Sequence, residues 1–167
     1  QVMEGTYRKG HFNGVATVVE LLLRTVQPDK AYFGEKDFQQ LQIIKKLVAQ
    51  LDIPCLIIGC PIEREHNGLA RSSRNERLPS ATRKKADIIY TTLQTAKKKF
   101  GTESAIEVKE WVYQVFAANA LFEIEYFEIA EERTLRPVQT KQPNEKYRAF
   151  IAVYAQDIRL IDNLALN

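Results

Sequence analysis

The feature that most limits the fold of this chain is a pair of short apolar runs separated by one helical stretch. The first run lies at 31–33, and the second, CLIIGC at 55–60, is continuously apolar and is stopped by Pro61, as is typical of a strand covered on both faces. Residues 37–51 carry apolar side chains at helical spacing. A strand, a helix and a strand with joints this short predict a βαβ unit and therefore parallel strands.

The sequence changes character after Pro61. Residues 61–80 are polar and rich in Arg, Ser and Asn. We expect Ser80 to cap a helix that runs to Phe100, with Gly101 closing it. Next, Ser104 and Glu107 form a capping box for a second helix. Three alternating segments follow and predict antiparallel strands, at 122–126, 147–154 and 159–164.

This order of elements predicts a parallel α/β part followed by a small α+β domain with an antiparallel sheet. A further helix is predicted before the first strand, because apolar residues recur at helical spacing over 15–26 and Pro28 follows them. Hydrophobic residues make up 45% of the chain. Such a composition supports a packed core and excludes disorder.

Charge is distributed unevenly, although the net charge of +3 is small. Residues 71–101 hold nine Arg or Lys against two acidic residues, a net of +7. Residues 103–132 hold eight glutamates against one lysine, a net of −7. A basic segment beside an acidic one favours a local anion site over a field that covers the whole chain.

The two cysteines, Cys55 and Cys60, lie in one apolar run. An extended strand holds residues at this spacing too far apart to bridge, so we interpret both as reduced core residues of a cytoplasmic protein. No apolar stretch approaches the ~20 residues that a membrane span needs, and no signal peptide is visible. The chain starts at Gln1 in the middle of a sequence pattern, and we therefore expect it to be a fragment of a longer protein.

The stretch FGEKDFQQ at 33–40 places a glycine and three charges where a strand is predicted to turn into a helix. That position is the carboxyl edge of a parallel sheet, where α/β proteins bind phosphates and nucleotides. Gly34 would let the backbone approach a ligand closely, Lys36 would attract phosphate, and Asp37 would accept from ribose hydroxyls. Asp37 and Gln40 also fit a helix capping box, an alternative that gives Gly34 and Lys36 no role.

A second candidate stretch, HNGLARSSRNERL, occupies 66–78. It places two serines and an arginine between the parallel unit and the second domain. Hydroxyls and a guanidinium on a loop suit the oxygens of a triphosphate. Loops of this composition are often only solvated surface, and that alternative stays open here.

Four stretches together resemble the pantothenate synthetase family, the pantoate–β-alanine ligases. They are GHFNGVATVV (10–19), FGEKDFQQL (33–41), GLARSSRN (68–75) and RLIDN (159–163), in the family's order and near its spacing. The resemblance implies a Rossmann-like nucleotidyltransferase fold and an ATP-dependent ligase. In such enzymes ATP, with Mg²⁺, adenylates pantoate and releases pyrophosphate; β-alanine then attacks the acyl-adenylate and releases AMP.

The resemblance also implies roles for individual residues. Gln40 would hydrogen-bond pantoate, and no residue is assigned to a metal. The residues expected to act in catalysis are Lys36, Ser72, Ser73 and Arg74. The residues expected to bind ATP are Gly34, Glu35, Lys36, Asp37, Glu63, Arg71, Ser72, Ser73 and Arg74.

The chain departs from the family pattern in two ways. Arg71 stands where an apolar residue is expected before the serines. The His-x-Gly-His motif of the family's amino-terminal half is absent, since the histidines are His11 and His66 and neither lies in such a motif. We therefore expect 1–61 to be the carboxyl-terminal part of the Rossmann-like nucleotide-binding domain, 62–167 to be a second α+β domain, and the chain alone to be inactive.

The expected partners are pantoate, β-alanine, ATP and a second copy of the chain. The helix at 15–26 or the strand near 31 would form this homodimer. The alternative is a non-catalytic anion or nucleic-acid binding module that uses the basic stretch 71–101. Such a module needs interleaved aromatic residues, yet this stretch holds only two, both near the predicted core, and 83–85 is expected to be a solvated helix face. We therefore predict neither a nucleic-acid partner nor a membrane partner.

Overall fold

The structure, a computed structural model, describes residues 3–167. The chain divides into two compact units, one ending at Ile62 and the other spanning Glu63–Asn167. Within residues 3–167, no helix has both the length and the apolar character needed to cross a bilayer.

The first unit contains the predicted βαβ arrangement. Its two strands pair in parallel, with Gly34 beside Cys60 at the carboxyl end, so the predicted parallel sheet is confirmed. A single 3-10 turn, Glu35–Asp37, joins the first strand to the helix that follows. The elements in order are α1 (Glu4–Tyr7), α2 (His11–Val26), β1 (Lys30–Gly34), α3 (Phe38–Gln50) and β2 (Leu56–Cys60).

Helix α3 contributes several side chains to the core of the first unit. Its buried apolar residues recur every three or four positions, which places them on one face of the helix. They are Phe38, Leu41, Ile44 and Val48, each at most 8% exposed. Both cysteines near β2 are free thiols; Cys55 is buried as expected, whereas Cys60 is only half-buried.

The apolar face of α2 is largely exposed. Leu23 is buried, whereas Val18, Leu21 and Val26 are 57%, 67% and 67% exposed. The helix itself forms as predicted and ends at Val26. Periodicity therefore predicts where the apolar side chains of α2 lie, but not that they are covered.

The second unit packs helices against an antiparallel sheet. Strands β3, β4 and β5 are adjacent in that order, and both pairings are antiparallel, which confirms the predicted α+β arrangement. Two of its helices pack on the sheet and on each other. The elements are α4 (Ser80–Lys84), α5 (Asp87–Phe100), α6 (Ala105–Ala117), β3 (Glu123–Glu131), β4 (Tyr147–Ala155) and β5 (Ile158–Ala165).

The region predicted as one helix capped by Ser80 forms two helices instead. Helix α4 begins at Ser80 itself after Pro79, and the structure of the described residues shows no side-chain cap there. A 3-10-like turn separates α4 from the next helix. In it, the amides of Lys85 and Ala86 donate to the carbonyls three residues earlier instead of four. Gly101 follows α5 but keeps right-handed helical angles, with φ −59°, so this position does not use the conformational freedom of glycine.

The capping box predicted for α6 is present. The amide of Glu107 donates to Ser104 Oγ at 3.2 Å, and the amide of Ser104 donates to Glu107 Oε2 at 2.8 Å. The hydrogen bond from the Ser104 amide lowers the pKa of Glu107, and so does the one that the Ser104 hydroxyl donates to Glu107 Oε2 at 2.7 Å. Two amides at the helix start, which would otherwise lack partners, are thus satisfied within four residues of sequence.

We expect Ser104→Ala to lower the free energy of unfolding by about 1 kcal/mol, the usual cost of a lost N-cap. Ser80→Ala is the matched control, because Ser80 is exposed and does not cap its helix. Urea unfolding of both variants measures the difference. Equal losses in the two variants would contradict the assignment of the caps.

Candidate phosphate-binding site

The GEKD stretch lies at the carboxyl edge of the parallel sheet. Strand β1 ends at Gly34, and Glu35–Asp37 form the 3-10 turn that leads into α3. Asp37 is exposed and Lys36 is half-buried. Gly34, Lys36 and Asp37 are thus grouped where open sheets commonly bind ligands.

The fold itself does not require a glycine at position 34. Gly34 has φ −66° and ψ 133°, which any residue adopts, and an added Cβ would meet nothing within 4 Å. Gly59 on β2 differs, because a Cβ there would lie 3.0 Å from Leu41 Cδ2 and 3.1 Å from Glu35 Oε1. Packing therefore explains Gly59, whereas Gly34 leaves open space beside the backbone.

The capping box considered for Asp37 and Gln40 does not form. Asp37 precedes α3, but within residues 3–167 its side chain accepts no capping hydrogen bond. The two glutamines of the stretch also differ. Gln39 is buried and its Oε1 accepts from the Glu4 amide at 3.1 Å, whereas Gln40 is half-buried. Asp37 and Gln40 are therefore not engaged in starting the helix.

The SSRN stretch forms a short turn in the second unit. Ser72 precedes the 3-10 turn Ser73–Arg77, and its Oγ accepts from the Arg74 amide at 3.3 Å. Ser73 and Arg74 are exposed, and Arg74 Nη1 donates to the Arg159 carbonyl at 3.4 Å. The turn thus presents two hydroxyls and a guanidinium near the surface.

The last residue of SSRN anchors this turn from the inside. Asn75 is 1% exposed, and its Nδ2 donates to Glu65 Oε1 at 2.6 Å and to the Ala70 carbonyl at 3.1 Å. Its Oδ1 is buried and has no hydrogen-bond partner among the described residues. Asn75 therefore has a structural role, distinct from that of the serines before it.

An open cavity of about 350 Å³ lies beside the turn. Its serines and Arg71 can donate hydrogen bonds to an anion, and its two carboxylates are both paired with one arginine. The pKa of Glu65 is lowered, first by its hydrogen bonds from Arg83 and also by that from Asn75. The residues that line the cavity are Glu65, Arg71, Ser72, Ser73, Glu76 and Arg83.

The prediction of a solvated helix face at 83–85 holds for Lys84 and Lys85, which are exposed. It does not hold for Arg83. Its side chain is 32% exposed and pairs with Glu65 at 2.9 Å and with Glu76 at 3.0 Å. Sequence analysis missed this arrangement because Glu65 lies 18 positions away from Arg83. No single helix or strand of residues 3–167 contains both positions, so helical or strand periodicity could not have indicated the pair.

The backbones of Glu63 and Arg71 lie side by side. The Arg71 amide donates to the Glu63 carbonyl at 2.8 Å, next to an antiparallel bridge between Arg64 and Ala70. The Arg71 side chain is exposed, which accounts for a charged residue at this position. The predicted ATP-binding residues thus fall into two groups, 34–37 in the first unit and 63–74 in the second.

The RLIDN stretch fixes the segment that leads to the serines. Asp162 is 3% exposed and accepts from Arg64 Nη1 and Nη2 at 2.6 and 3.0 Å. The Arg64 guanidinium also lies 3.8 Å from the centre of the Tyr90 ring. Gly68 has φ +89°, and a Cβ there would lie 2.6 Å from Tyr90 Cδ1. Only glycine fits this close approach.

Among residues 3–167 there is no group of three or more His, Cys, Asp or Glu side chains arranged to hold a metal ion. The donors of both stretches are instead hydroxyl, ammonium and guanidinium groups. Such donors bind anions, phosphates in particular.

Comparison with known proteins decides the family. The model of the family described as Pantoate-beta-alanine ligase matches residues 1–165. The chain belongs to this family. The family expected from the sequence resemblance, and the α/β fold expected with it, are therefore confirmed.

Two named relatives show how much of a family member this chain represents. It is 58% identical to pantothenate synthetase of Christiangramia forsetii over 99% of this chain and 59% of the relative. It is 56% identical to the enzyme of Flavobacterium psychrophilum over 98% of this chain and 58% of the relative. The chain thus spans about three fifths of the length of these relatives.

Two solved structures of the family resemble this one. The chain matches pantothenate synthetase of Thermus thermophilus with a TM-score of 0.91 and 40% identity, covering 99% of this chain and 59% of the other. It matches pantoate-beta-alanine ligase of Francisella tularensis, complexed with beta-gamma ATP and beta-alanine, with a TM-score of 0.68 and 32% identity. That match covers 99% of this chain and 54% of the other.

Proposed function

We propose that this chain supplies part of the active site of an enzyme that condenses pantoate with β-alanine at the expense of ATP. The observation that carries the proposal is the serine cavity. Ser72 and Ser73 line it, while Asn75, which is buried, donates to Glu65 and holds the turn from the inside. Membership of the ligase family and the ATP and β-alanine in the Francisella tularensis relative support the same conclusion.

The proposed reaction has two steps and needs no protein nucleophile. A pantoate carboxylate oxygen attacks the α-phosphorus of ATP, the bond from that phosphorus to the β-phosphate oxygen breaks, and pyrophosphate leaves. The amine of β-alanine then attacks the acyl carbon of pantoyl-adenylate, loses a proton and expels AMP. Catalysis therefore rests on positioning the reactants and on neutralising developing charge.

In this proposal the second unit holds the phosphates. Ser72 and Ser73 donate hydroxyl hydrogen bonds, and Arg74 follows the negative charge onto the departing pyrophosphate. Charge-assisted bonds of this kind contribute about 1.5–3 kcal/mol each. The adjacent backbones of Glu63 and Arg71 border the adenine.

In the first unit the proposed ligand contacts lie at the end of β1. Gly34 offers open space for close approach, and Glu35 and Lys36 follow it, with the ammonium of Lys36 directed to the phosphates. Asp37 accepts from the ribose hydroxyls. Gln40, one turn into α3, hydrogen-bonds pantoate. The lack of a capping role for Asp37 and the open space at Gly34 support these assignments.

Mg²⁺ enters this proposal with the nucleotide. The ion keeps much of its water and binds mainly to substrate phosphates in nucleotide sites. This agrees with the hydroxyl and guanidinium donors that the serine turn and its cavity present. We place the enzyme in the cytoplasm, which the free thiols of Cys55 and Cys60 support.

The alternative of a nucleic-acid binding module has less support. Within the basic stretch 71–101, Arg77, Arg83 and Lys99 each pair with a carboxylate. A polyanion would have to compete with these pairs. The aromatic side chains of the stretch do not form a stacking surface either, because Phe100 is buried and Tyr90 is covered by Arg64.

We expect the chain to bind Mg-ATP weakly and Arg74→Ala to lower that affinity roughly ten- to hundredfold, since one charge-assisted contact is lost. Titration calorimetry measures both affinities. Arg77→Ala is the matched control, because Arg77 lies on the same turn and pairs with the exposed Asp157. Equal losses for both variants would indicate a diffuse positive field instead of a phosphate site.

We further propose that the chain alone does not turn over substrate, because the His-x-Gly-His motif expected for the ATP site is absent from its 167 residues. A steady-state assay with pantoate, β-alanine and Mg-ATP measures pantothenate formation. Sustained, ATP-dependent formation would contradict the proposal. Arg74→Ala, purified in the same way, serves as a control, since equal formation by both proteins would reveal a contaminating enzyme.

We also propose that two copies of the chain associate through the exposed face of α2. Introducing a charge by Leu21→Glu should weaken self-association roughly tenfold or more, because an unpaired carboxylate is costly to bury. Sedimentation velocity over a concentration series measures this effect. Ile106→Glu on α6 is the control, since Ile106 is 60% exposed but lies in the other unit. Equal self-association of wild type and Leu21→Glu would exclude α2.

A further inference from the structure

Arg83, near the end of α4, divides its guanidinium between two carboxylates. Nε and Nη2 donate to Glu65 at 2.9 and 3.0 Å, while Nη1 and Nη2 donate to Glu76 at 3.1 and 3.0 Å. Four donor–acceptor contacts in two bidentate pairs depend on the planar fork of arginine. A lysine ammonium carries the same charge but lacks this fork.

Both carboxylates connect Arg83 to the turn that carries the serines. Glu76 lies within the turn Ser73–Arg77. Glu65 lies outside it, but its Oε1 accepts from Asn75 Nδ2 at 2.6 Å. One guanidinium therefore reaches two consecutive residues of the turn, Glu76 directly and Asn75 through Glu65.

This connection runs from the surface into the interior. The Glu76 side chain is 72% exposed, Arg83 is 32% exposed and Glu65 is 17% exposed, whereas Asn75 is 1% exposed. An isolated surface ion pair contributes little to stability. Here, loss of Arg83 would leave a largely buried carboxylate without its charged partner, and such a loss is costly.

The direction of these hydrogen bonds separates Arg83 from the residues proposed to bind phosphate. Arg83 lines the same cavity as Ser72 and Ser73, but four of its donor contacts are made with protein carboxylates. A guanidinium engaged in this way serves to hold the cavity wall. The hydroxyls of the two serines, together with Arg71, are the groups of the cavity that remain suited to an anion.

We propose that Arg83 is a positioning residue, which holds the serine turn in the conformation that binds phosphate without itself contacting the nucleotide. The inference rests on the proposed function, because it assigns Arg83 a role in that same phosphate site. It extends the proposal from the serines to a residue outside their motif.

The test compares Arg83→Lys, Arg83→Gln and the control Arg77→Lys in the 167-residue chain. Hydrogen exchange of the backbone amides of 72–77, measured without ligand, reports how readily the serine turn opens. We expect both Arg83 variants to exchange there roughly five- to thirtyfold faster than wild type, with α5 and β4 unchanged. Arg77→Lys should exchange like wild type, because its pair with Asp157 is exposed on both sides.

Titration with Mg-ATP then separates positioning from direct contact. If Arg83 acts through the turn, Arg83→Lys and Arg83→Gln lose the same fraction of the affinity. The double variant Glu76→Gln with Arg83→Gln should lose no more than Arg83→Gln alone, because the two residues act together. Wild-type affinity in Arg83→Lys, with loss only in Arg83→Gln, would overturn the proposal and indicate that Arg83 contacts the anion through its charge.

The two readouts also distinguish failure of this inference from failure of the proposed function. Absence of Mg-ATP binding by the wild-type chain would count against the proposed phosphate site. The exchange rates are measured without ligand. Unchanged rates at 72–77 in both Arg83 variants would therefore overturn the proposal that Arg83 holds the turn, whether or not the wild-type chain binds Mg-ATP.

Discussion

Asp162 places a carboxylate inside the second unit at 3% exposure, and the fold around the serine turn depends on how that charge is satisfied. A buried carboxylate is costly unless it is paired and hydrogen-bonded. Arg64 meets this requirement with two bonds of 2.6 and 3.0 Å. Since Arg64 opens the segment that leads to the serines, the need to neutralise Asp162 fixes where that segment lies on the sheet.

The same principle extends along the sheet beside Asp162. Arg148, which is 8% exposed, donates to the Asn163 side chain at 2.6 Å and to Glu132 at 2.8 Å. The second unit therefore contains several polar contacts below its surface in addition to an apolar core. Bidentate guanidinium hydrogen bonds are directional. They therefore restrict how a loop can lie on a strand more strongly than apolar contacts do.

The elements recognised from sequence are those whose signals are local or strongly periodic. Both parallel strands, the three antiparallel strands and the Ser104 capping box agree with the structure, because each depends on residues a few positions apart. The cap expected at Ser80 and the capping box considered as an alternative at Asp37 do not form among the described residues, although their sequence signals resemble that of Ser104. A capping signal states that a side chain can reach the helix start, whereas the surrounding backbone determines whether it does.

Two kinds of feature could not be predicted from the sequence. The first kind joins residues that are distant in sequence, and the second depends on what packs against a given surface. Arg64 and Asp162 are 98 positions apart, and no pattern in a single sequence indicates their pairing. For the candidate site, sequence analysis proposed the serines and the GEKD stretch but did not indicate that Arg83 pairs with Glu65 and Glu76. The exposed face of α2 belongs to the second kind, since periodicity defines an apolar face without defining its neighbour.

The contact between Gly68 and Tyr90 limits the substitutions that this chain can accept. A side chain at position 68 would meet the ring within 2.6 Å and would also have to adopt φ +89°. The ring in turn lies against the Arg64 guanidinium at 3.8 Å. Positions 64, 68 and 90 are therefore coupled in this structure, because a change at one of them alters the contacts of the residues at the others.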